Sequence, residues 1–299
     1  MNGATNFLRR ALTVAAVAAL VCAPHARASV TSRKTLETAR DLSAAVEAGS
    51  RVTYLDLVRL VFPGAEGGEP ARATRSIPLS HADGDYADKT FEGAMSVDYV
   101  ERVFIRGGGE RLAALLIHVS PAPAESTPPA GGGDLNGSFN WGGIAVLAVY
   151  RLTPAPRLLG ALDVRGDRET SLWEAHPVTP LGARDSGVWF VNAHHNAGEE
   201  YRAYGLAAYV AGRLKPVLAR APMLHGWRGC RRAVTPRAAV ETSARRGSAR
   251  RDLTFVVGET VERFAEDCRS RVGRLRRRTS RNLFRWDARR GLYEARGAG

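Results

Sequence analysis

From residue 97 to the C-terminus, short apolar runs alternate with turn residues at the spacing of a β-meander. Twelve of these runs predict strands: 97–105, 111–119, 143–152, 158–164, 170–173, 187–194, 201–210, 214–220, 233–242, 252–261, 283–286 and 291–295. The turn at Gly107-Gly108-Gly109 and the one at Asn196-Ala197-Gly198 each predict a tight hairpin, and strands joined this way pair antiparallel. Before residue 97 the period changes. Leu36, Ala39, Leu42 and Val46 recur at helical steps behind Thr31 or Ser32 as cap, with Gly49 as stop. A second short helix is expected after Thr53, through Leu55, Val58 and Phe62, ending at Pro63-Gly64. The Gly/Pro-rich stretches 63–74 and 121–138 read as linker and mobile loop. The expected fold is mostly β, an antiparallel meander forming propeller-like blades or a β-sandwich, with a small N-terminal helical segment. The domains then run 1–28, 29–74 and 75–299.

The first 28 residues read as a secretory signal peptide. Arg9 and Arg10 form the basic start, residues 11–23 the apolar stretch, and Ala26-Arg27-Ala28 the small-x-small cleavage site before Ser29. The stretch is short of the roughly 20 residues that span a bilayer, so no transmembrane span is expected after cleavage. Cys22 follows Val21, a bulkier residue than a lipidation signal carries before its cysteine. Cleavage leaves two cysteines, Cys230 and Cys268, and an oxidising periplasmic or extracellular compartment predicts a disulfide between them. No C-x-x-C spacing or neighbouring His supports a reactive thiol instead.

The chain of 299 residues carries a formal charge of +13, and of its 43 basic residues only Lys34, Lys89 and Lys215 are lysines. So strong an arginine bias beside abundant Ala, Gly and Pro is what GC-rich codon usage produces, and part of the charge reflects that. Location is more telling. Residues 227–299 hold 20 Arg against 8 acidic residues, whereas 29–226 is close to neutral.

The last predicted hairpin, Leu283-Phe284-Arg285-Trp286-Asp287 followed by Gly291-Leu292-Tyr293-Glu294, resembles the ending of secreted bacterial β-proteins with FG-GAP-like or propeller-like blades. Residues 158–170, with Asp163-Val164-Arg165-Gly166-Asp167, are similar to the acidic blade turn of that group. The resemblance implies a β-rich exported protein. The fuller D-x-D-x-D-G run that binds calcium in such turns is not present here.

Three constellations are candidates for chemistry. His194-His195 with Glu199 and Glu200 across the predicted turn offers His195 and Glu199 as a proton-transfer pair or two zinc ligands. Asp163, Asp167 and Glu169 offer oxygen ligands to Ca²⁺. The segment Arg269 to Arg285, with Arg274, Arg276, Arg277 and Arg278 at its centre, offers guanidinium groups to a polyanion. Nucleic acid does not suit an exported protein, whereas an acidic envelope component or protein partner does. No G-x-S-x-G, H-E-x-x-H or P-loop motif is present, and no bound cofactor is expected. The leading expectation is a non-catalytic scaffold or binding module, with a metal-assisted hydrolase at His195 and Glu199, or a polyanion binder, as alternatives.

Overall fold

The structure is a computed structural model that describes residues 33–37, 39–63, 65, 71–73, 95–121, 144–220, 222–273 and 276–296. The leader with Cys22, loop 122–138 and Arg274 lie outside the described residues. The elements begin with β1 (Lys34–Leu36), α1 (Ala39–Leu42), α2 (Tyr54–Val61) and β2 (Ala71–Ala73). A run of strands follows: β3 (Met95–Gly107), β4 (Glu110–Pro121), β5 (Ile144–Arg151), β6 (Arg157–Asp163), β7 (Glu169–Leu172) and β8 (Val178–Pro180). The rest are β9 (Ser186–Asn196), β10 (Glu199–Val210), β11 (Arg213–Pro216), β12 (Met223–Arg228), β13 (Arg232–Ser243), β14 (Asp252–Arg263), β15 (Arg276–Asp287) and β16 (Leu292–Arg296).

The protein is mostly β and antiparallel, with every pair among the described strands formed in that sense. The hairpins turn where expected. Gly108 and Gly109 (φ 63° and 94°) close β3 to β4, and Ala197 and Gly198 (φ 42° and 90°) close β9 to β10. Positive φ at both central residues matches the twist of the flanking strands. Helix α2 starts where Thr53 caps it. The Thr53 hydroxyl accepts from the Asp56 amide (3.1 Å), and the Asp56 carboxylate accepts from the Thr53 amide (2.8 Å).

The first expected helix is largely replaced. Lys34–Leu36 is a strand on the edge of β3, pairing Leu36 with Val100, and only the four residues of α1 are helical. An isolated helix of this length is marginal in water, and burying Leu36 against the sheet outweighs its propensity. Strand β15 also differs. It extends back from Leu283 to Arg276, so much of the arginine run is a strand paired with Val261–Leu253 of β14 rather than a loop.

Two sheets form. The first runs β1-β3-β4-β5-β6 with β2 also on β3, and the second runs β16-β15-β14-β13-β12-β10-β9-β7 with β8 on β9 and β11 on β10. Ile144 to Tyr150 of β5 are all fully buried because this sheet is covered on both sides. Val146, Ala148 and Tyr150 face Leu57, Val58 and Val61 of α2, while Ala145, Leu147 and Val149 face Val188, Phe190 and Ala207 of the second sheet. This is a sandwich with a helical cover.

The second sheet folds over itself. Strand β12 pairs with β13 only at Trp227↔Val234 and Arg228↔Ala233, after which β13 departs. Gly226 permits the crossing, since a Cβ there would lie 3.1 Å from Pro236 Cδ. Strands β14 to β16 thereby cover the second face of β9 and β10. Phe255 meets Trp189 and Tyr204 (centroids 6.0 and 5.0 Å), and Trp173 meets Tyr204 at 4.8 Å. Tyr293 exchanges backbone hydrogen bonds with Val217 and Ala219, fastening β16 beside the segment after β11. Outside this core cluster, Arg232–Arg237 of β13, Gly258–Arg263 of β14 and the start of β15 continue as a paired ribbon. The Cys230–Cys268 disulfide joins the two chain segments at its tip.

Closing a loop with a sequence separation of 38 residues stabilises the chain by roughly 3 to 4 kcal/mol in the chain-entropy model. Replacing both cysteines with alanine is expected to lower the denaturant midpoint accordingly. An unchanged midpoint would show that the staple adds nothing to the paired ribbon.

Candidate functional site

The polar residues singled out in the sequence gather at the end of the second sheet where β9 turns into β10. Alternation along β9 places His194 and His195 on opposite faces. On the first face the register aligns His194 with Tyr201 and Tyr201 with His225. Tyr201 stacks on His225 (centroids 4.4 Å apart) and stands edge-on to His194 at 6.2 Å. Its hydroxyl donates to Glu199 Oε2 at 2.6 Å, which raises the tyrosine pKa, and Glu199 Oε1 lies 4.0 Å from His225 Nε2. Asp167 Oδ1 stands 3.2 Å from His194 Nδ1 and also accepts from the Arg168 amide at 2.7 Å. On the opposite face His195 Nε2 is 3.8 Å from Glu169 Oε2, with both side chains exposed.

The expected pairing of His195 with Glu199 does not form. The two-residue turn sets Asn196 opposite Glu199 and His195 opposite Glu200, so Glu199 shares the face of His194. The three candidate calcium ligands also diverge. Asp163 accepts from the Arg165 amide, Asp167 turns to His194, and Glu169 turns to His195. Among the described residues no three His, Cys, Asp or Glu side chains are placed to share a metal ion.

A second polar cluster sits at the seam between the sheets. Glu101 of β3 is fully buried; its Oε2 lies 2.6 Å from Arg33 Nε and accepts from the Leu172 amide at 2.9 Å. His118 of β4, 4% exposed, has Nε2 3.4 Å from Glu101 Oε1 and stacks on Tyr99 at 3.8 Å between centroids. The Tyr99 hydroxyl reaches the Thr170 carbonyl at 3.4 Å, and burial pushes its pKa up to about 12. Burial also lowers the pKa of His118, favouring the neutral ring. A signal for this cluster was present in the chain. Glu101 occupies an inward position two residues before Val103, and His118 interrupts the run from Leu112 to Val119. What it joins, a backbone amide on β7 and an arginine before β1, is set by the tertiary fold.

Compared with known protein families, curated proteins and solved structures, the chain has no match.

The arginine segment presents an exposed surface. On one face of the ribbon the register places Arg232 opposite Arg263 and Val234 opposite Val261, with Val261 opposite Arg276 and Glu259 opposite Arg278. Arg237 and Arg277 lie on the other face. Among the described residues none of these six arginines has a carboxylate within 4.0 Å, whereas Arg271, Arg281 and Arg285 pair with Glu262, Glu241 and Asp252. Beside the ribbon a groove of about 340 Å³ opens where β13 leaves β12, lined by Glu200, Trp227, Arg228, Glu262, Phe264 and Arg271 among others.

The buried histidine predicts a pH dependence. Its unfolded-state pKa is about 6.5, so the unfolded chain takes up a proton there that the folded chain resists, and stability falls as the pH drops below that value. One such proton costs up to about 1.4 kcal/mol per pH unit. His118→Phe keeps the ring against Tyr99 and is expected to flatten unfolding free energies between pH 7 and 5. Equal slopes for both proteins would assign the dependence to other groups.

Proposed function

We propose that the protein is an exported, non-catalytic β-rich binding module that recognises an acidic partner with the arginine faces of its β13–β15 ribbon. The observation that carries this reading is the group of Arg232, Arg263, Arg276 and Arg278 on one ribbon face, where Glu259 opposite Arg278 is the one described acidic neighbour in the register and no described carboxylate comes within 4.0 Å of any of the four. Like charges directly across a strand pair are destabilising, and Arg232 faces Arg263 in this way. An anion bridging them relieves that repulsion and gains bidentate hydrogen bonds. The twelve-residue pairing of β13 with β14, together with the disulfide, holds the guanidinium stems in place before a partner arrives.

Export is supported by the leader-like first 28 residues and by the disulfide, which persists in oxidising compartments. The likeness of the last hairpin to FG-GAP-like and propeller-like secreted proteins agrees with such a setting. A metal-assisted hydrolase draws less support, because His195 and Glu199 occupy opposite faces of the sheet.

Binding to inorganic polyphosphate, followed by fluorescence over a salt series, tests the reading. Affinity is expected to fall steeply with salt. Replacing Arg276, Arg277 and Arg278 with alanine is expected to reduce the log–log slope by about 0.7 per lost contact, with the melting temperature held. A triple variant that binds with the same affinity and slope would overturn the proposal.

A further inference from the structure

We infer that the free edge of β15 from Arg276 to Asn282 is a strand-addition site for an extended acidic peptide. The inference rests on the reading of the ribbon as a recognition surface and names the partner of that surface. Strand β15 pairs with β14 from Arg276 to Phe284, but its described pairing with β16 covers only Leu283 to Asp287. Among the described residues, seven, Arg276-Arg277-Arg278-Thr279-Ser280-Arg281-Asn282, therefore have a strand on one side only, and all seven are exposed. Such an edge presents a row of outward N–H and C=O groups, the template that peptides use when they extend a sheet.

The side chains select what binds there. Arg276 and Arg278 project to one face and Arg277 and Arg281 to the other, so an added strand meets positive charge on both of its faces. Cross-strand neighbours come within about 4.5–5.5 Å at Cβ, where opposite charges stabilise the pair and like charges oppose it. A second copy of this chain is disfavoured by the same rule. Antiparallel pairing of two β15 edges centred on Thr279 sets Arg277 opposite Arg281, and pairing centred on Arg278 sets that residue against itself. An acidic strand satisfies the backbone and the guanidinium groups together. Polyphosphate or a lipid headgroup can satisfy only the guanidinium groups.

The edge is also held ready. Strand β14 lies along its whole length behind it, and Arg281 is fixed by its ion pair with Glu241 across β14. The entropy lost on binding is then mostly that of the peptide.

The test uses the full mature chain and a short peptide alternating glutamate with valine. The peptide is expected to bind, and to slow hydrogen exchange of β15 amides between Arg276 and Asn282. Methylating alternate backbone amides of the peptide on its pairing edge should weaken binding by about tenfold or more, the loss of one or two net hydrogen bonds. A glutamine-for-glutamate peptide should lose binding as well. If the methylated peptide binds as tightly as the parent, or polyphosphate binds while the peptide protects no β15 amide, strand addition is overturned and the ribbon is an electrostatic surface only. If neither polyphosphate nor peptide binds, both this inference and the proposed function fall.

Discussion

Strands β9 and β10 are apolar on both faces, and the layout of the second sheet follows from keeping both faces dry. Val188, Phe190 and Ala207 are covered by the first sheet, while Trp189, Tyr204 and Leu206 need a second cover. Burying a large apolar side chain is worth roughly 1.5 to 3 kcal/mol, so leaving either face wet would remove a large share of a domain's net stability. The chain meets the need by breaking the β12–β13 pairing after two residues and laying β14 to β16 across the exposed face. Because β13 and β14 are longer than the aromatic cluster they cover, their pairing continues past it to Arg232 and Arg263, and that continuation is the arginine ribbon.

The same fold creates a polar seam at the other boundary. Joining two sheets over an apolar core leaves the Leu172 amide of β7 facing β3, and Glu101 accepts its hydrogen bond there. A buried carboxylate is costly unless paired, which gives Arg33 and His118 their place beside it. Arg33 immediately precedes β1, so the short strand that replaced the expected helix also delivers a counter-charge to the buried site.

Much of the fold was legible in the chain because its strands follow local rules. Period-two alternation and two-residue turns with positive φ mark the long hairpins, and Thr53 with Asp56 marks the start of α2. The short strands β1, β2, β8 and β12 were not legible, since three to six residues carry too little pattern and owe their form to a neighbouring edge. The extension of β15 into the arginine run was hidden for a related reason. Its exposed residues have no inward apolar face, and only the register with β14 makes them a strand. The candidate site was legible as a set of residue types but not as pairs. His194 with Asp167 depends on where β7 lands against β9, and the separation of His195 from Glu199 depends on the one-residue register of the turn. The seam cluster joins residues far apart in the chain, which no spacing rule connects.

Strand β15 divides into an anchor packed on the core at Phe284 and Trp286 and, before it, an edge that no described strand covers. Native-state hydrogen exchange of the free protein, read amide by amide along β15, tests that division most directly. The amides from Leu283 to Asp287 are expected in the slow class with those around Trp189. Those between Arg276 and Asn282 that face away from β14 are expected to exchange among the fastest strand amides. Uniformly slow exchange along the whole of β15 would show that its outer half is already covered, and would contradict the account.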